Sequence, residues 1–131
     1  MLFRTFKNQK QRSKSGGSAF IEIQFCTMPV ESAIEELVEV DNIENWKNDS
    51  LYVYIDDDSI FYDEYSHIFD CGTYNNLKTG RVDLHGINYY APTFTDSIIK
   101  KINNEKPTDY EILIEWLNKS KSYNGFYILG L

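Results

Sequence analysis

The segment that most constrains the fold is the last one. Residues 126–131 (FYILGL) form a nearly continuous apolar run. A strand of this kind is normally covered on both faces, which puts it in the interior of a sheet. A sheet built around the end of the chain must recruit its other strands from far upstream. Two earlier runs qualify. Residues 20–25 (FIEIQF) alternate, with Ile21, Ile23 and Phe25 sharing one side. Residues 51–55 (LYVYI) place Leu51, Val53 and Ile55 on one side and Tyr52 and Tyr54 on the other, which predicts Tyr52 and Tyr54 as an exposed pair.

Helical periodicity fills the intervals. Val30, Ala33, Ile34, Leu37 and Val38 recur at i, i+3, i+4, i+7 and i+8 after a start at Thr27 and Pro29. Glu31, Glu35, Glu36 and Glu39 occupy the rest of that helix, with no lysine at i+4. Their mutual repulsion costs a few tenths of a kcal/mol per pair, roughly. Phe61, Tyr65, Ile68 and Phe69 predict a second helix, begun by the caps available in Asp56-Asp57-Asp58-Ser59. Residues 74–90 read as paired short strands turning at Thr79-Gly80 and His85-Gly86. Thr95 is positioned to cap a helix bearing Ile98, Ile99 and Ile102, which Pro107 ends. Thr108 with Glu111 matches a capping box for a last helix carrying Ile112, Leu113, Trp116 and Leu117. Asn124-Gly125 then turns the chain into the final strand. The order β-α-β-α-β-β-α-α-β predicts an α+β fold: a mixed, mostly antiparallel sheet of about five strands packed by three to four helices.

The 131 residues, 42% of them hydrophobic, suffice for one domain with a core. Its expected extent is residues 19–131, a single globular domain. Residues 1–18 hold Arg4, Lys7, Lys10, Arg12 and Lys14 and no acid, and 7–18 are polar with a Gly-Gly-Ser stretch; the segment reads as a disordered basic arm. Residues 19–77 hold fourteen acids and one base, and residues 19–131 carry a net charge of −12 from eight bases and twenty acids. A body with that field repels nucleic acid and anionic membranes and attracts basic proteins. No apolar run is long enough to cross a bilayer. Cys26 and Cys71 form no CxxC; the leading expectation is two buried free thiols of a cytoplasmic protein, with a disulfide between them as the alternative.

Motifs for chemistry fail on inspection. Counted from Asp56, a calcium-binding EF-hand loop would need glycine at its sixth position and glutamate at its twelfth, where this chain has Phe61 and His67. Glu64 and His67 form a solitary ExxH without the second copy that a di-iron helix pair requires. Nucleotide loops (GxGxxG, GxxxxGK[ST]) and the GxSxG elbow are absent from the sequence. No residue is assigned as catalytic, and no metal or cofactor is expected.

Residues 74–80 (YNNLKTG), 86–90 (GINYY) and 123–130 (YNGFYILG) resemble a group of small, soluble, little-characterised bacterial proteins, over roughly residues 50–131. That resemblance implies a bacterial source and one domain, and brings no catalytic residues with it. In charge, size and composition the chain is also similar to immunity proteins of bacterial toxin systems, including contact-dependent growth inhibition. Those are acidic cytoplasmic proteins that bind basic nuclease toxins.

The leading expectation is therefore an immunity or inhibitor protein, not an enzyme, that occludes a cognate basic toxin. Glu31, Glu35, Glu36, Glu39, Asp56, Asp57, Asp58, Asp63 and Glu64 would steer the partner, with Tyr52 and Tyr54 as short-range anchors. One alternative is a small-molecule or enzymatic pocket using Asp83, His85, Asn88 and Tyr89. Another is an adaptor whose basic arm engages an acidic partner or its own acidic body. The apolar-rich sheet faces leave a homodimer open.

Overall fold

The computed structural model describes residues 1–16 and 19–130. In chain order its elements are α1 (Gln9–Gly16), β1 (Phe20–Phe25), α2 (Ile34–Leu37), β2 (Leu51–Tyr54), α3 (Asp58–Tyr65), β3 (Gly72–Tyr74), β4 (Thr79–Gly80), β5 (Ile87–Tyr90), α4 (Thr95–Glu105), α5 (Tyr110–Ser120) and β6 (Phe126–Leu129). The fold is α+β. Six strands form one sheet in the order β2-β1-β6-β5-β3-β4, one more than the sequence predicts, and every pair is antiparallel. Residues 126–129 of the final apolar run do lie inside the sheet, while Leu131 falls outside the described residues. All four residues of β6 are buried, between β1 (Phe25 opposite Phe126) and β5 (Tyr90 opposite Phe126).

Strand alternation divides the molecule into two cores. On the first face, Ile21, Ile23, Phe25, Leu51, Val53, Tyr90, Phe126 and Ile128 meet side chains from the helices α3, α4 and α5. Phe61, Tyr65, Ile68 and Phe69, spaced for a helix in the sequence, are all fully buried there. Leu113, Trp116 and Leu117 of α5 join them, and the Trp116 ring stacks on Phe25 at 4.1 Å between centroids. Each fully buried aromatic of this layer contributes ~2–3 kcal/mol.

The second face is covered as well, which the sequence does not announce. Leu37 and Val38 close over Tyr89, Tyr127 and Leu129, while Phe6 and the loop residue Trp46 close over Phe20 and Tyr52. Tyr52 is therefore only 1% exposed, and Tyr54 is half-buried against Phe20. This corrects the exposed pair: the side of β2 that carries them is an inner face.

The N-terminal segment is corrected too. Among its described residues, Leu2 and Phe3 insert into the first core and Phe6 into the second. Arg4 and Tyr52 exchange backbone hydrogen bonds of 2.8 Å in each direction, so the segment pairs with the outer edge of β2. An unpaired edge strand invites association with other chains, and this strap covers it. Residues 9–16 are helical rather than disordered; residues 17 and 18 of the expected arm lie outside the described residues. Apolar content at positions 2, 3 and 6 outweighs the polarity of residues 7–16.

The expected helix over Val30–Val38 shrinks to the single turn α2. Ala33 is extended, and Val30 and Ile34 are 80% and 37% exposed, leaving Leu37 and Val38 buried. With acids on its remaining positions and only two apolar groups to bury, a longer helix gains too little to offset nucleation. The two expected caps on later helices also go unused. Thr95 opens α4 with its hydroxyl buried and unpartnered, and Thr108 is held by Glu64 rather than by Glu111. The first hairpin turns at residues 75–78, with Thr79-Gly80 in the strand beyond it. Gly125 does turn the chain: its φ is +80°, and a Cβ there would collide with the Tyr90 carbonyl oxygen.

Candidate functional site

The connection from β1 to β2 is the functional candidate, because it covers the second face without being absorbed by it. Three of its fastenings stand out. Tyr127 Oη donates to the Leu37 carbonyl (2.6 Å), and Asn75 Nδ2 donates to the Val38 carbonyl (2.6 Å). The third fastening is Glu22, a carboxylate only 2% exposed. It accepts from the Trp46 and Lys47 amides (2.7 and 3.0 Å), from Ser50 Oγ (2.6 Å) and from Gln24 Nε2 (3.1 Å). Arg12 lies over the Trp46 ring at 3.7 Å and closes the same corner. Glu22 counts toward the acidity of the sequence but contributes nothing to the surface; only its place on a strand between two cores reveals its role.

Between these fastenings the connection turns acids outward. Glu31, Glu35, Glu36, Glu39, Asp41 and Glu44 are all exposed, and among the described residues none forms an ion pair. Val30, Ile34 and Val40 are interspersed with them at 80%, 37% and 59% exposure. A polar rim around exposed apolar groups is the anatomy of a protein-binding patch.

The second acidic run is elsewhere. Asp56, Asp57, Asp58, Asp63 and Glu64 belong to α3 and the 3-10 turn before it, which pack on the first face. The sheet thus separates two runs that the sequence reading joined into one surface. Part of this run is also engaged. Asp57 faces Arg4 at 3.8 Å, and both Glu64 oxygens accept from the Thr108 hydroxyl at 2.9 Å. Arg4 also lies over the Tyr54 ring at 5.3 Å, so the basic segment does meet its own acidic body at this corner.

Beside the first patch is a cavity of about 370 Å³. Val40, Ile43 and Asn45 of the connection form one wall, and Ile87 and Leu129, neighbours across β5 and β6, form the floor. Asn75 and the His85-Gly86 turn close the far side. That turn is built by Asn88, which is fully buried. Its Oδ1 accepts from the Asp83 amide (2.8 Å), while its Nδ2 donates to the Asp83 and Ile128 carbonyls (2.8 and 2.9 Å). Asp83 Oδ1 accepts the His85 amide at 2.9 Å, which sets the exposed His85 ring at the rim. Of the four polar residues expected to line a pocket, only His85 does. Asn88 and Asp83 build the turn, and Tyr89 donates to the Asn124 carbonyl (2.7 Å).

Tyr89 belongs to a pattern. Tyr52 donates to the Lys47 carbonyl (2.5 Å), Tyr65 to that of Thr108 (2.6 Å) and Tyr127 to that of Leu37 (2.6 Å). These rings bury their bodies in the cores and tie loops down with their hydroxyls. Burial raises all four phenols above their ordinary 10.0, with Glu22 adding to the effect at Tyr52. The tyrosines near the acids are chiefly staples of the fold.

No arrangement for covalent chemistry is assembled among the described residues. Cys26 and Cys71 are both free, on the second and first cores respectively. Burial, then the neighbouring Asp70, raise the Cys71 thiol, which disfavours the thiolate. His67 is engaged by Glu105 at 2.5 Å. Among the described residues no three His, Cys, Asp or Glu side chains are grouped to hold a metal ion, and no helix is long and apolar enough to cross a membrane. The chain matches no model of a known protein family, no curated protein and no solved structure.

Proposed function

We propose that this chain is an immunity or inhibitor protein that binds a basic, nuclease-like toxin in the cytoplasm and occludes it without chemistry. The observation that carries the reading is the patch on the β1–β2 connection, where six exposed carboxylates, none in an ion pair among the described residues, are interspersed with Val30, Ile34 and Val40. Carboxylates without a cation partner repel one another in the free protein and attract a cationic face at long range. Such steering raises association rates ~10–1,000-fold and fades with salt. The apolar groups supply short-range affinity once water is expelled. This reading puts the docking surface at Glu31, Glu35, Glu36 and Glu39 and gives Asp56, Asp58 and Asp63, across the sheet, at most a long-range part.

The test is capture of binding proteins from the native cells with the wild-type chain and with a Glu35→Gln/Glu36→Gln/Glu39→Gln variant, at low and high salt. The expected outcome is a basic protein that the wild type retains, that the variant and high salt both weaken, and whose toxicity on expression is relieved by co-expressing this chain. Retention unaffected by the triple substitution, or a retained protein that is harmless to cells, would defeat the reading.

A further inference from the structure

We infer that the cavity between the Val40–Asn45 wall and the β5–β6 floor receives one large apolar side chain, aromatic or branched, projecting from a lysine- or arginine-rich segment of the partner. The inference rests on the docking surface proposed for the β1–β2 connection and names what fills the cavity beside it.

Three observations support it. The first is size: about 370 Å³ admits a large side chain and a small molecule alike, so size permits the occupant and chemistry and charge select it. The second is chemistry. Val40, Ile43, Ile87 and Leu129 offer aliphatic walls and floor, with Asn45, Asn75 and His85 the polar groups around them. Asn75, whose Nδ2 donates to the Val38 carbonyl, is held in place as one of these polar groups. An indole or phenol fits such a site, with its ring on the aliphatic floor and its polar edge at the rim. The third is charge. The wall residues Val40 and Ile43 alternate along the chain with Glu39, Asp41 and Glu44, all exposed, so carboxylates flank the cavity on its connection side. An anionic or neutral occupant gains nothing from that rim, whereas a chain with cations next to its apolar residue brings one of them to the acidic side. A buried aromatic anchor ringed by weaker contacts is the usual distribution of energy in a protein interface.

The probes are three blocked pentapeptides: two lysines on either side of a central tryptophan, the same with central alanine, and two glutamates on either side of tryptophan. Binding is read from amide chemical shifts of the whole chain. The expected result is shifts centred on Gly86, Ile87 and Gly130. The lysine–tryptophan peptide should bind about tenfold more tightly than the alanine peptide, and the glutamate peptide weakest. Val40→Arg, at a position 59% exposed, should weaken the lysine–tryptophan peptide about tenfold with the melting temperature unchanged. Equal binding of the two lysine peptides, shifts centred away from the cavity, or no shifts at all would overturn the inference. The two proposals fail separately. If charge alone holds the peptides, the docking surface stands without its anchor. If the cavity takes the tryptophan peptide but the cell supplies no toxin, the recognition of basic, apolar segments stands and the toxin does not.

Discussion

A residue's meaning in this protein depends on which side of the sheet it occupies. Glu22 shows this most sharply. In the sequence it is one of fourteen acids between residues 19 and 77. In the fold it is a buried acceptor that organises residues 46–50, and its removal strands two backbone amides and a hydroxyl away from water. Glu22→Ala should therefore cost about 3 kcal/mol or more of stability, measured by urea unfolding. Glu35→Ala, on the exposed turn α2, should change stability by less than about 0.5 kcal/mol in the same measurement. Asn88 and the stapling tyrosines follow the same logic. Their polar atoms are spent inside the fold, which is why a reading by residue type placed them in a pocket or on an interface. Alternation along β1 and β2 shows which residues share a side. It does not say that both sides are covered, and that single fact moved Tyr52 from a docking surface to a core.

Among the elements, the N-terminal strap departs furthest from expectation. Its composition is basic and polar after position 6, and averaged over 18 residues it reads as an arm. The structure uses its few apolar residues individually. Phe3, 1% exposed, makes edge-on contacts with Phe61 (6.2 Å) and Tyr65 (5.5 Å), and the backbone at Arg4 completes the edge of β2. Phe3→Ala should lower stability by about 3–5 kcal/mol. Deleting residues 1–8 should go further and expose the β2 edge, so that the shortened chain self-associates in sedimentation experiments while the full chain does not. A freely moving arm would predict no change in either. Helix α3 is the opposite case: the four aromatic or aliphatic residues spaced for it in the sequence are all fully buried, although the helix ends at Tyr65 and Ile68 and Phe69 enter the core from the turn that follows. The β1–β2 connection lies between these extremes, since its apolar periodicity is real but only its last two members find a core to enter.

For the whole molecule, the concentration of buried phenols sets a pH limit. Tyr52, Tyr65, Tyr89, Tyr90 and Tyr127 all have their ionisation raised above 10.0, in each case first by burial. Unfolded, they release protons near pH 10; folded, they hold them longer. Above that pH the native state binds more protons than the unfolded one, so stability falls as pH rises, and below it these groups add no slope. Melting temperature should therefore be insensitive to these tyrosines between neutral pH and about 9 and drop steeply beyond 10, with the buried phenolates appearing together with loss of secondary structure. Independent titration of every tyrosine while the fold persists would contradict their burial. The sequence by itself determined the strands and most helices, the interior position of β6, the α+β class and the acidity of the region between residues 19 and 77, because periodicity, turn chemistry and charge are local or additive properties. Only the tertiary structure decided that both sheet faces are covered, that the N-terminal segment is a strap, that Glu22 is internal, that the two acidic runs lie on opposite sides, and that Val40, Ile43, Asn75, His85 and Leu129 meet around one cavity. Each of these depends on which distant segments pack together, and packing between segments far apart in the chain leaves no periodic trace in either one.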